Sequence, residues 1–253
     1  MKGTWLQNLS WPEAEEWINT GRPLVIPVGA ISKEHGLHLP MNTDFLLAQA
    51  LADGVAQALP VIIAPIISAG YYPAFRHYPG SQHLSPSTFQ AVIEETIEGF
   101  IHQGVNNISI INTGVSTEPV IKVAVREILE RHGVRVWVAD IRNLGKQTDH
   151  MFEQKTGGHG DEHETSIIMA IKPEAVHLDR ALTDYGNVLN QKPTVFVPPA
   201  IFKSDPKCGI DYSETGVRGD PTLASVEKGT AALESMISDL IEGLQVIYPE
   251  ELR

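Results

Sequence analysis

Along the first 140 residues, short apolar runs alternate with longer segments in which apolar residues recur at helical spacing. Each run is continuous and bounded by turn residues, so it predicts a buried strand. The predicted strands cover residues 24–28, 61–67, 108–112 and 134–139. The helical periodicity predicts helices over residues 10–20, 42–59, 85–103 and 118–131. Strand and helix in alternation indicate β-α-β units and a mainly parallel sheet covered on both faces.

The C-terminal part of the chain shows two further helical segments. Residues 167–171 are apolar and follow an acidic stretch. Asp220 followed by Pro221 is typical of a helix start, because Asp caps the first turn and Pro suits its first position. From there we expect a long helix to about residue 244, which covers the sheet or forms part of a subunit interface.

The loop after the first predicted strand concentrates side chains that bind metals. Within eleven positions it contains Glu34, His35, His38 and Asp44, between glycines and a proline. Ligands of α/β proteins bind outside the carboxyl ends of strands. Carboxylate oxygens and imidazole nitrogens together hold Zn²⁺, Mn²⁺ or Fe²⁺. A solvated polar loop is the alternative, but four such residues so close together favour a site.

A second acidic and histidine-rich segment spans residues 157–166 and reads GGHGDEHETS. It places His159, Glu162, His163 and Glu164 at the start of a predicted helix. The helix dipole favours acids there whatever the function, so helix capping is the alternative interpretation. The spacing of a zincin protease and that of a phosphate-binding loop are both absent from the sequence. Two clusters of matching chemistry in distant segments predict one shared metal site.

The long loop at residues 68–85 is rich in aromatic and imidazole side chains. Loops longer than about a dozen residues are uncommon in compact domains and are often functional. Our candidates for contacts with a small polar ligand are Tyr72, His77 and Ser81. A surface loop packed on its own tyrosines is the alternative.

Charge and composition argue against several classes of function. The net charge of −12 disfavours nucleic-acid binding, because phosphates require a basic surface. No apolar run approaches the ~18 residues of a membrane span, and the N-terminus lacks the apolar core of a signal peptide. The single cysteine, Cys208, excludes an internal disulfide framework and a cysteine-based zinc site. We therefore expect a cytoplasmic protein without nucleic-acid or membrane partners.

Three passages of the chain resemble the creatininase (creatinine amidohydrolase) family. They read PVGAISKEHGLHLPMNTD, HYPGSQHLSPSTF and GGHGDEHETSIIM, with GVRGDPTLASVEKG as a weaker fourth. They follow the family's order over about residues 26 to 231, nearly the whole chain. The resemblance implies a single three-layer α/β/α domain over residues 1–253, usually assembled as a homohexamer. It also implies a two-metal site that hydrolyses amide bonds in small, often cyclic substrates.

The resemblance assigns roles residue by residue. His35 and Asp44 match family metal ligands, with Asp44 as the bridging carboxylate, and Glu164 matches a third ligand. His159 matches the family's catalytic histidine, which would give a proton to the leaving nitrogen. Apart from the resemblance, metal chemistry makes Glu162 a second candidate catalytic residue, with its neighbour Asp161 as the alternative, because a carboxylate can orient a ligand or a histidine by a hydrogen bond.

The chain departs from the family's pattern in three places. The first glutamate of the family's motif normally stands two residues before the histidine, where this chain has Lys33. Glu34 adjoins His35 instead, and we keep it as a predicted ligand because a bulge in the loop would turn its side chain into the ligand position. Residues 112–117 read NTGVST where the family commonly has Asn-Gly-His-Gly-Gly-Asn, so a metal-binding histidine is missing. His163 is the candidate replacement, with His77 as the alternative. Residues 141–162 lack the tryptophans expected to sandwich creatinine, which is therefore not the expected substrate.

The expected activity is metal-dependent hydrolysis of a small amide, cyclic amides included, or of a formamide, with one or two Zn²⁺, Mn²⁺ or Fe²⁺ ions per chain. Three alternatives remain open at this point. The first is a family member with a single metal and a different substrate. The second is a non-catalytic binding or assembly protein whose metal site has decayed. The third, a purely structural domain, is disfavoured by the retained second cluster.

Overall fold

The computed structural model describes residues 2–154, 156–186, 195, 205–207 and 212–252, so Cys208 lies outside the described residues. Its centre is a five-stranded parallel sheet in the order β1-β3-β2-β4-β5. The strands are β1 (Thr4–Trp5), β2 (Leu24–Val28), β3 (Ile62–Ile63), β4 (Ile108–Asn112) and β5 (Val136–Asp140). The predicted parallel sheet is confirmed.

Six α-helices accompany the sheet in the described part of the chain. They are α1 (Trp11–Asn19), α2 (Thr43–Ala58), α3 (Pro86–His102), α4 (Glu118–His132), α5 (Glu162–Ile171) and α6 (Val226–Ile247). None of these described helices combines the length and apolarity that crossing a bilayer requires.

The helices form one layer on each face of the sheet. Along β2, Leu24 and Ile26 point into a core shared with α3 and α4, whereas Val25 points into a core shared with α2, α5 and α6. Successive strand side chains point to opposite faces, so a fully apolar strand such as β2 must be buried on both. The architecture is therefore the expected three-layer α/β/α sandwich.

Several predicted boundaries are correct for identifiable reasons. β2 and β4 have the predicted bounds, because each is a run of five buried residues. The helix predicted from residue 10 begins at Trp11, and Ser10 and Glu13 form a capping box at its start. Gly133 ends α4 in the left-handed conformation, with φ of +68°, which glycine adopts without strain.

Other predicted boundaries are wrong. The strand predicted over residues 61–67 is only Ile62–Ile63, and Pro65 follows, which has no N–H to donate to a neighbouring strand. The strand predicted from residue 134 begins at Val136. Asp220 caps a 3₁₀ turn rather than the long helix, which begins at Val226 with Ser225 as its cap. The two-residue β1 shows no periodicity and was not predicted.

The topology creates a crevice at the carboxyl ends of β2 and β4. The chain leaves β2 through α2, on one face of the sheet, to reach β3. From β3 it returns through α3, on the other face, to β4 on the far side of β2. The loops after β2 and β4 therefore diverge to opposite faces, and ligands of open α/β sheets bind at such a switch point.

Candidate metal centre

The loop between β2 and α2 brings polar side chains into the protein interior at this crevice. Lys33, Glu34, His35 and Asp44 are all buried, and Asp44 lies in the first turn of α2. The second predicted cluster approaches closely: a Cβ on Gly160 would lie 3.0 Å from the carbonyl oxygen of His35. A side chain at Gly160 would force the two segments apart. The structure therefore brings the two distant clusters together.

The first histidine of the centre is His35. Its Nδ1 lies 2.8 Å from the carbonyl oxygen of Lys33, and its Nε2 lies 2.9 Å from Oδ1 of Asp44. A carbonyl oxygen can only accept a hydrogen bond, so Nδ1 carries a proton. In a neutral ring Nε2 then carries the lone pair, and it points at a carboxylate oxygen that is also an acceptor. A cation between the two would satisfy both atoms.

The second histidine, His159, has the same arrangement with its nitrogens exchanged. Its Nε2 donates to the carbonyl oxygen of Glu34 at 2.8 Å, and its Nδ1 lies 3.8 Å from Oε2 of Glu164. The ring packs against Phe75, with 4.5 Å between ring centroids. Burial lowers the pKa of His159, but the charges of Glu34 and Glu164 outweigh that effect and raise the pKa above its ordinary value.

These residues fit a divalent metal ion. His35, His159 and Glu164 each offer one ligand atom, and the three atoms lie within 4.8 Å of one another. Two imidazoles and one carboxylate form a donor set of catalytic zinc sites. Metal-binding histidines usually donate their other ring N–H to a carbonyl or carboxylate, as both histidines do here. The donor set and its hydrogen bonding therefore suit one ion.

Sequence reasoning missed the contribution of Lys33. Its Nζ lies 2.6 Å from Oδ2 of Asp44 and 4.9 and 5.5 Å from the ring centroids of Phe75 and Tyr72. Burial raises the pKa of Asp44, but the Lys33 ammonium and then His35 outweigh it and hold that pKa far below its usual range. The only signal in the sequence was that Lys33 stands where the resembling family has glutamate.

Glu34, predicted as a metal ligand, lies beside His159 rather than with the three clustered ligand atoms. Its Oε2 is 3.3 Å from Nε2 of His159, and its Oε1 accepts a hydrogen bond from the Gly36 amide. The Glu34 amide donates to Oγ of Ser81 at 3.0 Å. Ser81, predicted to contact substrate, thus supports the loop that carries the centre.

Glu162, predicted as a catalytic residue, faces structural partners. Its carboxylate accepts hydrogen bonds from the amides of Glu153 and Gln154 at 2.9 and 2.7 Å, and Nζ of Lys228 lies at 2.6 Å. The side chain is fully buried. It holds the segment before α5 against the start of α6, outside the clustered ligand atoms.

The remaining candidates divide between interior and surface. Tyr72 is buried beside Lys33, and burial followed by the Asp44 charge raises its pKa. His77 is exposed and accepts a hydrogen bond from Arg76. His38 is buried with Nε2 at 2.8 Å from Oγ1 of Thr165, and burial lowers its pKa to about 4.

Two adjoining cavities lead to the centre. The inner one, of about 50 Å³, is lined by Lys33, Phe75, His159 and Glu164 among others. The outer cleft, of about 540 Å³, shares Gly158, His163 and Glu164 with it. His163 stands on this shared wall, with its ring centroid 4.3 Å from that of Phe152. His163 is thus placed where a substrate entering from the cleft would pass.

The fold and the centre together define an α/β protein with a histidine and carboxylate cluster at the end of its sheet. The model of the creatininase family, described as creatinine amidohydrolase, matches residues 7–244. The chain therefore belongs to the creatininase family, which confirms the resemblance found in the sequence.

Curated relatives are similar over most of their length. Creatinine amidohydrolase of Pseudomonas putida is 26% identical and aligns over 98% of this chain and 98% of its own. The 3-dehydro-scyllo-inosose hydrolase of Thermotoga maritima is 26% identical over 96% of this chain and 82% of its own. A mycofactocin precursor peptide peptidase of Mycobacterium tuberculosis is 25% identical over 92% and 88%. These relatives are named for different hydrolytic reactions.

Solved creatininase structures share the fold. A mutant creatininase of Zn-Zn type has a TM-score of 0.81 and 25% identity, covering 98% of this chain and 100% of its own. A creatininase with Mn has a TM-score of 0.79 and 25% identity over the same shares.

Proposed function

We propose that this protein is a metal-dependent hydrolase of a small amide or formamide. The observation that carries the proposal is the cluster of His35, His159 and Glu164, whose ligand atoms lie within 4.8 Å of one another beside an open cleft. The solved relatives with Mn and Zn-Zn support a divalent metal as the cofactor. The hydrolases and the peptidase among the curated relatives support the reaction class.

The ligand atoms we assign are Nε2 of His35, Nδ1 of His159 and a carboxylate oxygen of Glu164, with Oδ1 of Asp44 close to the first. A Zn²⁺, Mn²⁺ or Fe²⁺ ion held there would supply Lewis acidity, which lowers the pKa of a water molecule and polarises a carbonyl. The chain contributes the fixed orientation of both imidazoles through its own backbone carbonyls. That orientation is what keeps a ligand set ready for its metal.

In this proposal His159 and His163 exchange the roles that the sequence suggested. His159 is buried, and one of its nitrogens is bound to a backbone carbonyl, which suits a ligand. His163 is partly exposed on the wall of the outer cleft, which suits proton transfer to a leaving nitrogen. An imidazole can both hold and release a proton, which this role requires. Glu162 is assigned to positioning the segment that precedes α5.

The substrate we propose is small, polar and not creatinine. More than half of the residues that line the outer cleft have polar side chains, among them Arg142, Lys146 and Gln154. The four tryptophans of the chain all lie in its described part, and none of them lines either cavity. A tryptophan sandwich for a flat ring is therefore missing from the described walls. Assembly as a homohexamer stays a prediction.

The test combines metal analysis with an activity screen. Protein purified without chelators is analysed for bound metal and then screened with Mn²⁺, Zn²⁺ or Fe²⁺ against small amides, cyclic amides and formamides. We expect bound metal and turnover of at least one such compound, with loss of both in His35→Ala. The exposed His102→Ala, at a position that lines neither cavity, is the matched control and should retain both. A folded protein that binds no metal and turns over none of these compounds would contradict the proposal.

A further inference from the structure

We propose that the Lys33 ammonium takes the place of a second metal ion beside Asp44. The chain then binds a single divalent ion, at the cluster of His35, His159 and Glu164. The inference rests on the proposed function and specifies how many ions that function uses.

Both oxygens of the Asp44 carboxylate already face a partner. Oδ1 lies 2.9 Å from Nε2 of His35, and Oδ2 lies 2.6 Å from Nζ of Lys33. A carboxylate that bridges two metal ions needs one oxygen for each ion. Here the oxygen that would face a second ion faces an ammonium group. A divalent ion at that oxygen would lie within a few ångströms of Nζ, where the repulsion between two cations is strong in a buried site.

The position of Lys33 is built into the loop. Its amide donates to the carbonyl oxygen of Met41 at 2.9 Å, and its own carbonyl accepts from His35. Lys33 is 5% exposed, and its ammonium lies over the rings of Tyr72 and Phe75, which attract a cation through their faces. The backbone and the aromatic rings together favour the ammonium at this place. It therefore serves as a tethered cation for Asp44.

The loop after β4, where the family commonly has a metal-binding histidine, offers no ligand for a second ion. The loop after β4 borders this cavity with Thr113, Val115 and Ser116. Neither an imidazole nor a carboxylate stands among these three, and divalent transition metals bind most often to such groups. A creatininase of Zn-Zn type has this fold, so the fold itself permits two ions. The difference we infer for this chain therefore comes from its own side chains.

Metal stoichiometry tests the inference directly. Metal-free protein is titrated with Mn²⁺ by calorimetry, and the electron paramagnetic resonance spectrum is recorded at saturation. We expect one equivalent in the wild type, with the spectrum of an isolated Mn²⁺ ion. Lys33→Glu replaces the ammonium by a carboxylate, so we expect a second equivalent and a spectrum of two coupled ions. Lys2→Glu makes the same charge change at an exposed site and should leave the count at one.

The outcomes separate this inference from the proposed function. Two equivalents or a coupled spectrum in the wild type would overturn the role of Lys33 and leave a metal-dependent function standing. A Lys33→Glu variant with wild-type circular dichroism that still binds one equivalent would also overturn it. No binding in the wild type would contradict the proposed function itself, and the single ion with it. The wild-type spectrum decides the count even where Lys33→Glu fails to fold.

Discussion

The imidazole rings of His35 and His159 lie 4.7 Å apart, and each donates a ring N–H to a backbone carbonyl of the same loop. The accepting carbonyls belong to the consecutive residues Lys33 and Glu34. One short stretch of backbone therefore orients both histidines, although these stand more than a hundred residues apart in the chain. Any change that shifts this stretch disturbs both proposed ligands at once.

The carboxylate of Glu164, which lies on the cleft side of the centre, should contribute strongly to metal affinity. Loss of groups that merely orient ligands costs about 10- to 100-fold in metal affinity, and a direct ligand should cost at least the upper end of that range. We therefore expect Glu164→Gln to weaken Mn²⁺ binding by about 100-fold or more, measured by calorimetry. The exposed Glu174→Gln serves as the control. Equal affinities in Glu164→Gln and the wild type would remove Glu164 from the ligand set.

Substitutions of Lys33 and of Asp44 should have non-additive effects on the free energy of unfolding, because the two side chains form an ion pair. Removal of one partner of a buried pair leaves an uncompensated charge and typically costs about 3–5 kcal/mol. We expect Asp44→Ala to lower the free energy of unfolding of the metal-free protein by that amount, measured with urea. Adding Lys33→Met should restore much of the loss, because it removes the stranded ammonium. Purely additive losses in this double-mutant cycle would show that the two side chains do not interact.

The parts of the fold that the sequence predicted are those with strong local patterns. β2 and β4 are runs of five buried residues, and Gly133 ends a helix in a conformation that glycine favours. β1 was missed because two residues show no periodicity. The start of α6 was misplaced because Asp220 and Pro221 make the same cap for a short 3₁₀ turn as for a helix.

The sequence predicted which residue types form the site better than it predicted the role of each residue. Histidines and acids in two segments indicated a metal centre, because few other residue types bind metals. The partner of Lys33 was not predictable, because a lysine in a polar loop normally extends into water. Glu162 was assigned to catalysis, and the structure pairs it with Lys228, 66 residues along the chain. Such pairings depend on the tertiary fold and leave no local pattern.

Glu162 should contribute to stability more than to chemistry. Its buried carboxylate accepts two backbone amides and pairs with Lys228, and hydrogen bonds to charged groups contribute about 1.5–3 kcal/mol each. We expect Glu162→Gln to lower the free energy of unfolding by about 2–4 kcal/mol and to leave the metal equivalents unchanged. Exposed Glu234→Gln should change neither. Wild-type stability combined with lost turnover would instead support the catalytic role predicted from the sequence.

His38 should make the protein less stable in mild acid. Burial lowers its pKa from the ordinary value of 6.5 to about 4, so between these values the unfolded chain binds a proton that the folded protein excludes. The free energy of unfolding is therefore highest, as far as His38 affects it, above pH 6.5. It decreases as the pH falls towards 4, by about 3 kcal/mol in total. Urea unfolding at several pH values should show this slope in the wild type and a shallower one in His38→Gln. Parallel pH profiles for the two proteins would show that His38 does not titrate as stated.

The last prediction separates the two histidines of the second segment. His159 lies in the ligand cluster, whereas His163 stands on the wall between the two cavities. We expect His159→Ala to lose bound metal and His163→Ala to keep it while its turnover falls by about 10²–10⁴-fold, the usual contribution of a general acid or base. Elemental analysis and the rate on the best substrate of the screen measure the two effects independently.

A pH profile distinguishes proton transfer by His163 from a loss of packing against Phe152. If His163 delivers a proton to the leaving nitrogen, turnover of the wild type should decrease at high pH, and His163→Ala should lose this decrease. His163→Phe keeps an aromatic ring against Phe152 without a titrating group, so it should behave like His163→Ala. If His163→Phe instead retains wild-type turnover, the His163 ring only packs against Phe152 and does not transfer a proton. Metal retention together with full loss of turnover in His159→Ala would return the proton-donating role to His159.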